Sequence, residues 1–197
     1  MEVERLVTTG TRFTKIENVL SDDLFNRFRK YCKNLKYINM TRENNTTIYV
    51  NKIPRELDDH LTKLAEDAIG KQLEIVHSFI RLNTSIHDIG FRVHSDGKVL
   101  DKFITIAAIF YLDTSKDSGT GFYKHPEHGD KALNEEYHVF TEDDGKWELY
   151  DKFYEKENTM IVYDAKLFHG RFPWKSRGTR AKDGRIVIVK FMRERNE

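Results

Sequence analysis

A change of hydrophobic period just after Gln72 constrains the fold of this chain more than any other feature. Apolar residues at helical spacing, which end at this change, predict one face of a helix of about five turns; they are Leu57, Leu61, Leu64, Ala68 and Leu73. After it, apolar residues fall into short segments separated by polar and glycine-containing stretches, which is typical of strands. The chain therefore predicts a helical N-terminal part, about 1–74, followed by a β-rich part, about 75–197.

The N-terminal part carries two helix starts and two short strands. Ser21-Asp22-Asp23 has the pattern of an N-cap with acidic first-turn residues, and Pro54 stands where the second helix would begin. In the first helix Cys32 falls on the apolar face, which indicates a core residue rather than a nucleophile. Residues 12–20 and 46–51 are predicted strands.

The β-rich part contains about seven predicted strands, and Phe103–Leu112 is the strongest of them. The others are 75–83, 91–96, 122–123, 147–154, 159–163 and 185–192, with Gly119-Thr120-Gly121 as a turn. Antiparallel strands in this number favour a barrel-like sandwich such as a jelly roll. We therefore predict one domain over 1–197, mostly β (α+β), with the N-terminal helices packed on the β core. The polar stretch 124–146 is long enough to be a substrate lid or a mobile loop.

Composition narrows the class of protein. Lysines and arginines number 33 and acids 32 in 197 residues, so net charge gives no reason to expect a membrane or nucleic-acid partner. Cys32 is the single cysteine, and the first residues contain no apolar run. These features predict a cytoplasmic protein, and we expect a monomer or a homodimer.

Two H-x-D motifs occur, and their contexts differ. His94 and Asp96 lie on the predicted strand 91–96, where residues two apart point to the same face. His128 and Asp130 lie in the polar stretch, where the backbone sets no common direction, and we interpret them as surface residues. Two imidazoles and one carboxylate can bind one face of Fe(II) and leave the other positions open. His169, which follows the strand 159–163, can supply the second imidazole.

The order of motifs from about Asn83 to Phe191 resembles the core of the Fe(II)/2-oxoglutarate-dependent oxygenases, in particular the prolyl-4-hydroxylase-like branch. The matching segments are 90–96, 109–113, 118–122, 168–170 and 184–189. The resemblance implies a double-stranded β-helix (jelly-roll or cupin-like) core with His94, Asp96 and His169 as iron ligands. It also implies 2-oxoglutarate as cosubstrate and O2 as oxidant, with release of succinate and CO2 as an unactivated C–H bond is hydroxylated.

The resemblance places a cation for the far carboxylate of 2-oxoglutarate at the start of the last core strand. Arg185 matches this position, and a guanidinium can bind a carboxylate through two hydrogen bonds. Arg185 follows His169 by a longer interval than the branch usually has, which leaves Arg180 as a competing candidate. Tyr111 matches a tyrosine that helps to bind the same carboxylate in several members of the family. The position of Phe122 implies an apolar wall beside the iron.

Two other functions remain open. A non-catalytic cupin-like metal-binding module would need no Arg185, and an AlkB-like nucleic-acid demethylase would need a second arginine where this chain has Phe191. The sequence leaves the substrate open among prolyl, other amino-acid, peptidyl and small-metabolite classes. Arg81 and Arg92 could meet an acidic group on it or form structural salt bridges. Aromatic residues of the predicted strand 147–154 (Trp147, Tyr150 and Tyr154) are interpreted as sheet residues rather than as a substrate groove.

Overall fold

A computed structural model describes residues 4–41, 47–87, 90–99 and 101–195. The described residues form two helices, α1 (Asp22–Asn34) and α2 (Arg55–Ile69), and fifteen strands. The strands are β1 (Leu6–Thr9), β2 (Phe13–Glu17), β3 (Ile38–Thr41), β4 (Thr47–Asn51), β5 (Leu73–Asn83), β6 (Val93–His94), β7 (Lys98–Val99), β8 (Lys102–Phe103), β9 (Ile106–Tyr111), β10 (Gly119–Lys124), β11 (Val139–Phe140), β12 (Glu148–Tyr154), β13 (Thr159–Asp164), β14 (His169–Phe172) and β15 (Arg185–Glu194).

Two antiparallel sheets form the body of the fold. The larger has eight strands in the order β1-β2-β13-β9-β15-β5-β4-β3, and the smaller has five in the order β11-β6-β14-β10-β12. Neighbours along the sequence are often not neighbours in the sheet, as in a jelly roll. The mostly β class and the jelly-roll core predicted from the sequence are confirmed.

Alternation along the strands produces two layers of core. Ala108 and Phe110 of β9 face the helices and pack in one cluster with Phe25, Phe28 and Leu61. The intervening residues of the same strand face the smaller sheet; Ile109 and Tyr111 pack there with Phe122, Tyr163 and Val187. The helices therefore cover the outer face of the larger sheet, as predicted, and the inner face is left to form a cavity with the smaller sheet.

Several predicted boundaries were wrong, and each has a local cause. Helix α2 does not reach Leu73, because Gly70 adopts a left-handed conformation (φ 68°) and closes the helix with a hydrogen bond from its N–H to Glu66 O (2.8 Å). Leu73 instead begins β5. The predicted strand 103–112 is interrupted between β8 and β9, where Ile104 N–H donates to Gly97 O (2.9 Å) outside the ladders of both sheets.

The predicted turn at Gly119-Thr120-Gly121 was also wrong, because these residues begin β10. A Cβ on Gly119 would lie 1.9 Å from Phe153 O, and one on Gly121 would lie 2.6 Å from Leu149 Cδ1. Gly119 is thus required by the close approach of the main chain of β12 and not by a reversal of the chain, whereas a Cβ on Gly121 would meet only side-chain atoms.

The polar stretch 124–146 is attached to the smaller sheet. Its strand β11 pairs with β6, so that Val139 lies opposite His94. A Cβ on Gly97 would lie 2.2 Å from the carbonyl of Glu136, which shows how closely the stretch packs on the residues after β6. Neither helix in the described part of the chain has the length and apolar composition that crossing a bilayer requires.

Candidate active site

Three predicted ligand residues converge between the two sheets. His94 ends β6 and His169 begins β14, and the two histidines lie directly opposite each other in the antiparallel pairing of these strands. Asp96 Oδ2 lies 3.2 Å from His169 Nε2, and Asp96 Oδ1 lies 3.8 Å from His94 Nε2. The potential ligand atoms all lie within 4.8 Å of one another, which identifies a group that could hold a metal ion.

Main-chain hydrogen bonds fix the three residues, and strand alternation explains only part of the arrangement. β6 ends at His94, so the predicted strand 91–96 was too long, and Asp96 lies beyond it. Asp96 is held because its N–H donates to Ala165 O (2.8 Å), while the preceding Ser95 N–H donates to His138 O (3.0 Å). The carboxylate therefore turns toward the histidines because neighbouring segments bind its backbone.

The chemistry of these donors suits a divalent ion. His169 Nδ1 lies 2.8 Å from Leu167 O, which must accept a hydrogen bond from it, so in the neutral ring Nε2 carries a lone pair. That lone pair faces an Asp96 carboxylate oxygen, and a metal cation bound between the two atoms would satisfy both acceptors. Ligands on one face of an octahedral ion at about 2.1 Å lie about 3 Å apart. The 3.2 Å between Asp96 Oδ2 and His169 Nε2 is close to this value, and the other pairs lie within 4.8 Å, so the residues present fit an iron ion.

The second H-x-D motif does not form such a group. His128 is exposed and packs its ring against Phe140 (4.8 Å between centroids) and Trp147 (6.0 Å). Asp130 instead forms an ion pair with Arg12 (2.8 Å between Oδ2 and Nη1). The interpretation of these two residues as surface residues is confirmed.

Arg185 lies across the cavity from the histidines, on the larger sheet. It is the first residue of β15, it is only 4% exposed, and its side chain lines the same cavity as His94, Asp96 and His169. Arg180, the competing candidate, is exposed in the preceding loop and is not among the cavity residues. Its carbonyl instead accepts a hydrogen bond from Gly184 N–H (2.6 Å).

A buried carboxylate holds Arg185, and the sequence analysis did not identify it. Glu155 Oε1 lies 2.5 Å from Arg185 Nε, and Glu155 Oε2 lies 2.8 Å from Arg177 Nη1. Arg185 Nη1 also donates to Asn83 Oδ1 (3.2 Å). Burial opposes the ionisation of Glu155, but the two guanidinium groups outweigh it and lower the pKa of this carboxyl group. Glu155 lies in an acidic stretch that resembles solvated surface, and no local pattern distinguishes it.

Tyr111 and Phe122 lie just behind the cavity wall. Tyr111 is fully buried, its hydroxyl forms a hydrogen bond with Thr120 Oγ1 (2.7 Å), and its ring centroid is 5.7 Å from the Arg185 guanidinium carbon. Burial raises the pKa of the Tyr111 phenol. Thr120 lines the cavity whereas Tyr111 does not. Phe122 packs behind Tyr163 (5.4 Å between centroids), so the apolar wall beside His169 is Tyr163 and not Phe122.

Aromatic residues of β12 and its approach take no part in the cavity lining. Trp147 belongs to a cluster on the outer face of the smaller sheet, with Phe140 and Phe168. Tyr150 receives the Arg12 guanidinium on its ring (5.0 Å), and Tyr154 packs against Phe172. Their interpretation as sheet aromatics is confirmed. Arg81 and Arg92, by contrast, both line the cavity.

Solved structures similar to this chain include α-ketoglutarate-dependent enzymes and prolyl hydroxylases. No protein-family model and no curated protein sequence matches the chain. The non-heme α-ketoglutarate-dependent carbocyclase SnoK from nogalamycin biosynthesis is 16% identical, with a TM-score of 0.64 over 91% of this chain and 79% of its own. A collagen prolyl hydroxylase of Paramecium bursaria Chlorella virus-1, solved as its 2-oxoglutarate complex, is 15% identical, with a TM-score of 0.52 over 93% and 96%.

A prolyl-4-hydroxylase of Pseudomonas putida is 13% identical, with a TM-score of 0.53 over 94% of this chain and 95% of its own. The three similarities extend over 91–94% of this chain. At such low identity the similarity concerns the fold. The chain therefore has the fold of the Fe(II)/2-oxoglutarate-dependent oxygenases, as the resemblance of its sequence implied.

Proposed function

We propose that this protein is an Fe(II)- and 2-oxoglutarate-dependent dioxygenase that hydroxylates an unactivated C–H bond of an amino acid, a peptide or a small metabolite. The observation that carries the proposal is the convergence of His94, Asp96 and His169 in one cavity with Arg185. A metal-binding module alone has no need for a buried guanidinium facing its metal ligands. Oxygenases of this fold supply the precedent for the cosubstrate.

The three ligand residues would hold iron by one face and leave the remaining positions to the cosubstrate and O2. Bound Fe(II) would couple the oxidative decarboxylation of 2-oxoglutarate, which gives succinate and CO2, to oxidation of the substrate C–H bond. The main-chain acceptor for His169 Nδ1 keeps Nε2 available as a ligand. Tyr163 excludes water from the side of the ring that it covers (4.9 Å between centroids).

Arg185 would bind the far carboxylate of 2-oxoglutarate. The Glu155 carboxylate accepts a hydrogen bond from Arg185 Nε, and Asn83 Oδ1 accepts one from Arg185 Nη1. The guanidinium is therefore held in one orientation before any ligand binds. Tyr111 would act through Thr120, whose hydroxyl reaches the cavity. The exposed position of Arg180 argues for Arg185 as the anchor.

The test begins with binding and not with turnover. Anaerobic protein with Fe(II) should develop a visible charge-transfer absorbance when 2-oxoglutarate is added, and His169→Ala should abolish it. A protein that binds Fe(II) but gives no absorbance with 2-oxoglutarate would be a non-catalytic cupin-like module instead. If the absorbance is retained in His169→Ala, His169 is not a ligand.

The anchor is tested with a matched pair of arginine substitutions. Arg185→Ala should raise the KM for 2-oxoglutarate by about a hundredfold, because a charge-assisted, two-bond contact is worth roughly 3 kcal/mol. Arg180→Ala should leave this KM within about twofold of wild type. Succinate release is the measurement for both variants, and the reverse pattern would move the anchor to Arg180.

A further inference from the structure

The loop between β14 and β15, residues 173–184, accounts for the long interval between the third candidate metal ligand and the Arg185 anchor. Its second half is braced from within, because Asp183 Oδ1 accepts hydrogen bonds from the N–H groups of Thr179 (2.9 Å) and Arg180 (2.8 Å). Such bracing gives a polar loop a defined shape, so a side chain within the loop can be held in one place.

Gly178 fixes the backbone beside Arg177 in this loop. Its φ is 67°, and a Cβ there would lie 2.2 Å from Asp183 O, so the loop closes at a position that suits glycine. The carbonyl of Gly178 accepts hydrogen bonds from the N–H and from the hydroxyl of Ser85 (2.8 Å each). Arg177 is therefore held beside the residues that follow β5, and only 34% of its side chain is exposed.

Arg177 shares the buried carboxylate of Glu155 with Arg185. Arg177 Nη1 donates to Glu155 Oε2 (2.8 Å) and to Ser118 Oγ (3.1 Å). The Ser118 hydroxyl donates in turn to Glu155 Oε1 (2.9 Å), the oxygen that also accepts from Arg185 Nε. The Glu155 side chain is 1% exposed, so solvent screens these contacts far less than it screens pairs at the surface.

The two guanidinium groups and the one carboxylate together carry one formal positive charge. Arg185 and Glu155 alone would form a neutral pair, which attracts an incoming carboxylate less than a cation does. Asp113 also lies near Arg177 (3.7 Å between Oδ2 and Nη2), but two cations of α1 bind it more closely. They are Arg29 (2.6 Å) and Lys33 (3.1 Å).

We infer that Arg177 is a positioning residue for the cosubstrate, which keeps the Arg185 anchor oriented and positively charged and so favours a dicarboxylic 2-oxo acid over a monocarboxylic one. The inference rests on the proposed function, in which Arg185 binds the far carboxylate of 2-oxoglutarate. Arg177 does not line the cavity, so it acts through Glu155 and not by touching the cosubstrate. The loop 173–184 thereby has a role in cosubstrate choice, although it contributes no metal ligand.

The test compares two 2-oxo acids that differ in the far carboxylate. Anaerobic protein loaded with Fe(II) is titrated with 2-oxoglutarate and, separately, with pyruvate, and the charge-transfer absorbance gives each Kd. Arg177→Gln should raise the Kd of 2-oxoglutarate by about tenfold, because one charge near the anchor is lost, and should leave the Kd of pyruvate within about twofold of wild type. A cobalt titration of the same variant should show unchanged metal affinity, which separates a positioning role from general damage to the site.

Two further variants separate the charge of Arg177 from its position in the loop. Arg177→Lys keeps the charge but loses the planar group that bridges Glu155 and Ser118, and it should raise the Kd of 2-oxoglutarate by only about threefold. Arg180→Gln removes the same charge from an exposed position of the same loop and should bind 2-oxoglutarate as wild type does. If Arg177→Gln does not fold, Arg177→Lys carries the test, and wild-type affinity in that variant would overturn the inference.

The outcomes distinguish this inference from the proposed function. If the wild-type absorbance forms and Arg177→Gln binds 2-oxoglutarate as wild type does, the role of Arg177 is overturned and the proposed function stands. An equal loss of affinity for cobalt or for pyruvate, or an equal effect of Arg180→Gln, would overturn it as well. If the absorbance never forms in the wild-type protein, the proposed function fails and the inference fails with it.

Discussion

Glu155→Gln tests the buried ion pairs behind the proposed cosubstrate anchor. The side chain of Glu155 is 1% exposed, and its two oxygens bind Arg185 and Arg177 at 2.5 and 2.8 Å. At an effective dielectric constant of about 20, each pair is worth roughly 4 kcal/mol of attraction. Desolvation of the carboxylate offsets a large part of that gain. Removing the charge should therefore lower the free energy of unfolding by about 3 kcal/mol, the lower limit for breaking a buried pair, since glutamine keeps one acceptor.

The loss should depend on pH in a defined direction. The folded-state pKa of Glu155 is lowered from its ordinary value of 4.5, so its ionisation stabilises the folded protein at neutral pH. This contribution is complete above about pH 4.5 and disappears as the pH falls through the lowered folded-state pKa. The stability difference between wild type and Glu155→Gln should thus be largest near pH 7 and shrink on acidification below pH 4.5.

Urea unfolding followed by tryptophan fluorescence measures the effect. With a slope of about 2 kcal/mol per molar, a loss of 3 kcal/mol lowers the midpoint by about 1.5 M. Glu157→Gln is the matched control, because Glu157 is 46% exposed and pairs with Arg29 at the surface (3.1 Å). Its expected effect is below about 1 kcal/mol. Equal stability of wild type and Glu155→Gln at pH 7, or a difference that persists unchanged at low pH, would refute the reasoning.

Two further predictions concern a glycine and the cysteine. Gly97→Ala should weaken metal affinity by about tenfold in a cobalt titration, because the new Cβ meets the main chain of Glu136 and displaces the stretch packed beside the ligands. Cys32 should not react with a thiol reagent at pH 8 in the folded protein, since burial raises its pKa to about 12, and should react fully in urea.

Both have simple controls. Gly145→Ala strains the backbone, where φ is 75°, but its Cβ meets open space, so cobalt affinity should be unchanged; a loss there equal to that of Gly97→Ala would point to general destabilisation. Rapid labelling of Cys32 in the folded protein would show that the contact between α1 and the larger sheet opens readily.

The sequence predicted the elements whose signal is local. The helical spacing of α1, the strand that contains β9 and the N-terminal boundary of α2 at Pro54 were predicted because each depends on residues close together in the chain. Features set by a distant neighbour were missed. Gly119 and Gly121 have the composition of a turn, and only the closeness of β12 shows why glycine is needed at the first of them in a strand.

The residues of the candidate site also fall into two groups, those with a local signal in the sequence and those without one. His94, Asp96 and His169 could be selected because strand spacing and motif order restrict the choice, and Arg185 because an apolar strand follows it. Glu155 and Arg177 could not be selected, since their pairing joins an acidic segment to a polar loop far apart in sequence. The direction of Asp96 toward the histidines was predicted for an incomplete reason: the carbonyl of Ala165, and not a continuing strand, holds its backbone.

The metal ligands and Arg185 belong to different sheets, and this has a consequence for cosubstrate choice. Packed sheets lie about 10 Å apart, a separation that side chains such as Ile109, Tyr163 and Val187 maintain from within. A diacid that reached from the histidines to Arg185 would span this gap. The separation of the two sheets would therefore set the length of the carbon chain that fits between them. Substitutions at those three positions, which also line the cavity, would then alter which oxo acid fits, although none of them is a candidate metal ligand.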